Sequence, residues 1–247
     1  MKDPLRIPHV LDALTRAWES QPDLTLPQLY GVLESRGIGW NSTDGEVMDV
    51  LSALTAERPS LLTADAPGRY LVETEQPSYR VTVDPWWAAV RPARRGPASG
   101  SGSASGSDTP QPTVWRHGGI RRCAVSQPLT VLSAEGIVHR FGLVSRITVL
   151  AATVDSIADA PDLSGLHRAE LDGHAYLLRL AGDDHAGTTV LVDHALWVFD
   201  VTRREVRRDK VSWSRLVSAS VGSELVIDRS DGGTMRLPVV EQVTVLE

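Results

Sequence analysis

Gly96–Thr113 reads GPASGSGSASGSDTPQPT, and this stretch divides the chain. It is made almost wholly of Gly, Ser, Pro and Ala, with a single charge at Asp108. Such a run has no apolar surface whose burial offsets the entropy lost on ordering, which predicts a flexible linker. As a Gly/Ser coil its ends would sit roughly 20–25 Å apart. Residues 1–95 carry helical spacing for most of their length, and residues 114–247 carry strand alternation. The expected organisation is therefore a domain over 1–95, a linker over 96–113 and a β-rich domain over 114–247.

The chain of 247 residues is long enough for two cores. Its 42% hydrophobic and 23% charged content is that of a globular protein. No window approaches 18 consecutive apolar residues, so no membrane span is expected. The opening MKDPLRIPHV lacks the apolar core of an export signal. Cys123 is the one cysteine, which excludes an internal disulfide and a cysteine-based zinc cluster and points to a cytoplasmic setting. Residues 1–95 hold ten basic and thirteen acidic residues, a net of −3; residues 114–247 hold fifteen and seventeen, a net of −2. Neither half has the basic balance of a strong nucleic-acid binder.

In the N-terminal half, Ile7, Val10, Leu11, Leu14 and Trp18 recur at three- and four-residue steps and predict an amphipathic helix. A second helix begins after Leu26, with Pro27 in its first turn and Leu29, Val32 and Leu33 as its stripe, and stops at Gly37. Thr43-Asp44-Gly45-Glu46 reads as a capping box for a third helix that buries Val47, Val50, Leu51 and Leu54. After Pro59 the period shortens: Leu61-Leu62, Tyr70–Val72 and Tyr79–Val83 read as strands.

Three helices followed by a hairpin, over about residues 5–83, resembles a winged helix-turn-helix domain. The resemblance implies DNA binding through the third helix. Yet the outward positions there are Glu46, Asp49, Ser52, Ala53 and Glu57, with no Lys, Arg, Asn or Gln between Asp44 and Ala56. Base readout needs donors and bidentate amides, and carboxylates are repelled by phosphate. The acidic helix therefore favours a protein partner over nucleic acid. Beyond the hairpin, Asp84 and Pro85 are placed to start a short helix carrying Trp86 and Trp87, with Arg91, Arg94 and Arg95 leading into the linker. Two tryptophans beside three arginines can anchor a protein partner or stack on a nucleic acid.

In the C-terminal half the expected strands are Ile120–Val125, Leu129–Leu132, Ile137–Phe141, Ala175–Leu180, Thr189–Asp193, Leu196–Val201, Glu224–Asp228 and Met235–Val239. Residues 143–157 fit a helical stripe and strand alternation equally. A shift of 62 residues pairs Ile137 with Phe199, Arg146 with Arg208, Val149 with Val211, Ala151 with Trp213, Val154 with Leu216 and Ser156 with Ser218. The phrase VSWSRLVSASV followed by ELVIDRSDGGTMRLPV resembles bacterial pleckstrin-homology-like domains. The resemblance implies a β-sandwich or roll that serves as a binding scaffold, and the shift implies a duplicated one.

Asp183-Asp184-His185 with Asp193-His194 can hold a divalent metal, but an acidic hairpin tip explains the same residues, and the spacing closes no ligand set. Asp155, Asp159 and Asp162 read as a solvent-facing acidic loop rather than a calcium site. Residues 203–210, RREVRRDK, are the densest basic run; Arg203, Arg204, Arg207, Arg208 and Lys210 suit carboxylate or phosphate partners. No P-loop, dinucleotide fingerprint, HExxH or GxSxG occurs. The fold class expected is α+β: an N-terminal winged helix of three helices plus a β-hairpin, a Gly/Ser linker, and a C-terminal mainly-β sandwich or roll. The function expected is that of a non-enzymatic cytoplasmic adaptor or regulator without cofactor or metal, acting on another protein. The alternative is a DNA-binding transcriptional regulator with a β-rich sensing or oligomerisation domain.

Overall fold

Strand alternation governs far more of the structure than the three N-terminal helices do: of the described residues about 20% are helix and 47% strand. The computed structural model describes residues 4–93, 111–151, 160–182, 187–201 and 206–247. The chain divides into two compact units, Met1–Val154 and Asp155–Glu247.

The first unit begins with α1 (Arg6–Glu19), α2 (Leu26–Ser35) and α3 (Asp44–Glu57). The capping box of α3 forms as read: the Thr43 N–H donates to Glu46 Oε2 at 2.6 Å, and Thr43 Oγ1 accepts from the Glu46 amide at 3.3 Å. Thr25 and Gln28 box the start of α2 in the same way, ahead of Pro27 in its first turn. The helices close on Ala13, Ala17, Leu33, Leu51 and Leu54. On α1 the buried residues are the two alanines, while Ile7 and Leu11 are exposed, because small side chains let the helices approach closely there. Arg6 pairs with Asp44, and Arg36 forks onto Glu57 at 2.9 and 2.7 Å.

Seven strands follow: β1 (Leu61–Leu62), β2 (Arg69–Glu75), β3 (Tyr79–Val83), β4 (Trp87–Pro92), β5 (Thr113–Ala124), β6 (Pro128–Ser133) and β7 (Val138–Ala151). From β2 to β7 each strand pairs antiparallel with the next, and β7 pairs back onto β2, so six strands close into a barrel. β1 attaches outside the ring, along the end of β5. Closure removes the edges that an open sheet would expose. Val72, Val81, Val83, Ala88, Val90, Ile120, Cys123, Leu129, Val131, Val144 and Ile147 fill the interior. Burial pushes the Cys123 thiol up to about 12, so it stays protonated and inert. Gly142 is required by a close approach: a Cβ there would overlap the carbonyl oxygens of Glu75 and Pro77.

This arrangement replaces the winged helix and sandwich expected from the sequence. The hairpin that would form a wing is two staves of the barrel, and the strands on either side of the 96–113 stretch, β4 and β5, are paired neighbours with Trp87 opposite Arg116 and Val90 opposite Thr113. The division between units falls at Val154, beyond the stretch, whose residues 96–110 lie outside the described residues. The short helix expected after Asp84 is instead a turn and a strand. Asp84 Oδ1 accepts the amides of Trp86 and Trp87 at 2.8 Å each, and in-register pairing of Ala88 with Val83 draws the following residues into β4.

The second unit holds β8 (Tyr176–Leu180), β9 (Gly187–Val192), β10 (Leu196–Val201), β11 (Val206–Val211), β12 (Trp213–Ser218), β13 (Glu224–Arg229) and β14 (Thr234–Val245). They form one antiparallel sheet in the order β11-β10-β9-β8-β14-β13-β12, curved into a half-barrel. Its concave side is closed by the segment that precedes β8, through Leu163, Leu166 and Leu171. Backbone bonds from Gly165 to Leu216 (2.7 Å) and from Leu216 to Leu166 (2.9 Å) fasten that segment to β12. The 62-residue shift does not match equivalent elements among the described residues: Arg146 and Val149 lie on the single strand β7, whereas their counterparts Arg208 and Val211 lie on β11 and pair back onto the strand that holds Phe199.

Candidate binding site at the barrel mouth

The barrel interior is apolar along most of its length, but the end where β4 leaves and β5 enters is finished with rings. Tyr79 at the start of β3, Trp115 on β5 and Phe141 on β7 pack against the core without being fully covered. Strand alternation puts them there: Tyr79 shares the inward set with Val81 and Val83, and Trp115 lies opposite inward-facing Ala88. Tyr79 meets Phe141 edge to face at 6.0 Å between centroids, Trp115 stacks on Phe141 at 6.1 Å, and His139 tilts against Trp115 at 5.1 Å. With Val90, Gln111 and Thr113 these rings line a cavity of about 210 Å³.

One polar atom there is unsatisfied. Trp115 Nε1 is buried without a hydrogen-bond partner among the described residues, and the indole N–H is the only polar group its side chain has. Buried donors are paired in the great majority of cases, so an orphan one calls for a reason. The mouth thus combines flat apolar walls, no lining carboxylate and a buried indole N–H in one of its rings, which suits a group that brings a ring or short aliphatic surface.

A second depression, about 260 Å³, lies between α1 and α3 and is lined by Ala13, Arg16, Leu51, Ser52, Thr55 and Ala56. It is the crossing groove of two helices, with no ring and no orphan donor. Among the described residues no three His, Cys, Asp or Glu side chains are placed to hold a metal, and no helix is long and apolar enough to cross a membrane. Asp183, Asp184, His185, Asp155 and Asp159 lie outside the described residues; Asp193 Oδ1 accepts the amide of His194 at 2.6 Å.

The residues singled out from the sequence do not form one site. Trp86 is 48% exposed on the β3–β4 turn, Trp87 is half-buried, and Arg91 is buried on β4 at 4%. Arg94, Arg95, Arg203 and Arg204 lie outside the described residues. Arg207, Arg208 and Lys210 are exposed on β11 in the other unit, where Arg207 pairs with Asp209 at 3.0 Å and Lys210 lies over the Trp197 ring at 5.7 Å. β11 is the outer strand of its sheet, and charges on an outer strand guard against pairing with another chain, which accounts for that basic run structurally. The mouth escaped the sequence reading because its four rings come from three strands up to 62 positions apart. Trp115 sat beside the linker, and Phe141 and His139 read only as strand residues.

No family model matches the chain, and no curated protein or solved structure resembles it.

Proposed function

We propose that the protein is a non-enzymatic binding protein that works through contacts with another protein, and that the barrel mouth takes up one side chain of that partner. The observation that carries this reading is the unpartnered Trp115 indole N–H among the Tyr79, Phe141 and His139 rings. Size supports it. A cavity of about 210 Å³ is smaller than the roughly 300–1,000 Å³ of small-molecule and cofactor pockets, yet it has room for a single ring. A peptide brings what the mouth lacks: an apolar side chain with carbonyl oxygens beside it. The DNA-regulator alternative has less support, since α3 exposes Glu46, Asp49 and Glu57 and no basic residue.

The test is a titration of the 15N-labelled full chain with N-acetyl-phenylalaninamide. The Trp115 indole resonance, assigned by its disappearance in Trp115→Phe, is expected to shift in a saturable way while that of Trp213 stays in place. An unmoved Trp115 resonance up to the solubility of the probe contradicts the reading.

A further inference from the structure

The charge of this protein is not spread evenly over the barrel. The chain carries a net −6, yet β5, β6 and β7 together hold five arginines and no acidic residue. Their interior faces are apolar, so the arginines stand outside. Arg116, Arg121, Arg122 and Arg140 are all exposed. Arg146 reaches Glu73 at 2.9 Å, whereas the other four have no ion-pair partner among the described residues.

The strand register places these side chains. Arg122 lies opposite Thr130, and Thr130 opposite Arg140, so the two arginines flank a threonine on one outward row about 10 Å wide. The row beside it is Gly119, Leu132 and Val138, and on the other side Pro128 faces Leu143. Val138 and Leu143 are 39% and 44% exposed. Aliphatic, guanidinium and aliphatic groups therefore alternate along β7 on the face that looks outward.

Stability does not account for this surface. Exposed unpaired arginines contribute little, and like charges on neighbouring strands repel. Closure of the barrel leaves β5–β7 no free edge, so the face is not guarding against strand addition as β11 does.

We infer that the outer face of β5–β7 docks an acidic, aliphatic-bearing segment of a partner protein, its carboxylates received by Arg122 and Arg140 and its apolar side chains by Leu132, Val138 and Leu143. Guanidinium forks match carboxylates in two-point geometry. A nucleic acid would match the charge but not the rest of the face. Tyr79, Trp115 and Phe141 point into the barrel, so the outer face offers leucine and valine where single-stranded nucleic acid is held by stacking on aromatic rings. The acidic remainder of the molecule also repels a long polyanion more than a short peptide. This extends the protein-binding reading to a second surface; the mouth and the arginine face answer to different probes, so either can fail alone.

The experiment is fluorescence anisotropy on the full chain with three labelled probes: an octapeptide alternating glutamate and leucine, its glutamine counterpart, and single-stranded oligothymidylate. The glutamate peptide is expected to bind at least tenfold more tightly than the other two and to weaken as salt rises. Arg122→Ser combined with Arg140→Ser should lose tenfold or more with an unchanged thermal midpoint. The paired Arg→Lys variant should fall between, since it keeps charge and loses the fork. Trp115→Phe should leave peptide binding intact. Tighter binding of the oligonucleotide, equal binding of the two peptides, or an unchanged affinity in the double serine variant overturns the inference. So does concentration-dependent self-association that the serine variant abolishes, because the partner would then be a second copy of this chain.

Discussion

The closed barrel and the half-barrel are both antiparallel sheets that carry a tryptophan in or against their cores, but they finish their open ends differently. In the half-barrel, the segment before β8 lays Leu163, Leu166 and Leu171 into the concave side, and Trp213 beneath is fully buried with its Nε1 donating to the Asp193 carbonyl at 2.9 Å. In the barrel, no described segment covers the rings at the mouth, and Trp115 Nε1 has no hydrogen-bond partner among the described residues. One tryptophan is a completed structural element and the other is an incomplete one. A fold that satisfies one indole and leaves the other open is assigning them different work.

The comparison is sharpened most by removing each ring in turn. Trp213→Ala leaves a cavity in the sealed core it shares with Leu196, Leu216 and Ile227, so urea unfolding is expected to report a loss of about 3–5 kcal/mol. Trp115→Ala removes a half-exposed ring with no hydrogen bond to lose, and the cost should be on the order of 1 kcal/mol. Equal losses would mean that Trp115 is a core residue like its counterpart, and the case for the mouth would fall.

A smaller effect concerns the carboxyls at the two ends of α3. The Arg36 guanidinium, bonded to Glu57, holds that carboxyl below the usual range, and the Thr43 amide and hydroxyl do the same for Glu46. A carboxyl whose folded value is depressed stabilises the fold above its unfolded value, near 4.3, and that stabilisation is lost as pH falls through the folded value. Helical circular dichroism is therefore expected to weaken modestly below about pH 4, with Glu46→Gln and Glu57→Gln flattening the dependence. The strand signal should change less over the same range, as the depressed carboxyls near the sheets, Glu135 and Asp162, lie in loops outside the strands. A strand signal that falls first would place the acid-sensitive element elsewhere.

Local structure was legible where one segment decides it. The Thr43 capping box, Pro27 in the first turn of α2, the stop at Gly37 and the cores of eleven strands all follow from contacts within a few residues. What was hidden depended on pairing between distant strands. Asp84 caps a helix or a turn with the same carboxylate, and only the register of Ala88 with Val83 decides for β4. Residues 143–151 alternate and spiral equally on paper, and pairing with β2 from Leu143 to Ala151 makes them a strand. The Gly/Ser stretch was read as a domain boundary because composition shows that a segment has no core, not whether its two ends are neighbours. Arg122 and Arg140 stand 18 positions apart in the chain, and only the register sets them in one row across Thr130.

The central claim is that one barrel is built from both sides of the Gly/Ser stretch, for its mouth and its arginine face exist only if β4 and β5 are paired. The most direct measurement inserts a specific protease site between Gly100 and Ser101, cleaves the folded protein to completion and passes it over a sizing column. The two fragments are expected to elute together at the size of the intact chain and to part only in denaturant. Two fragments that elute separately, each folded by circular dichroism, would contradict the account and restore the stretch as a boundary between independent domains.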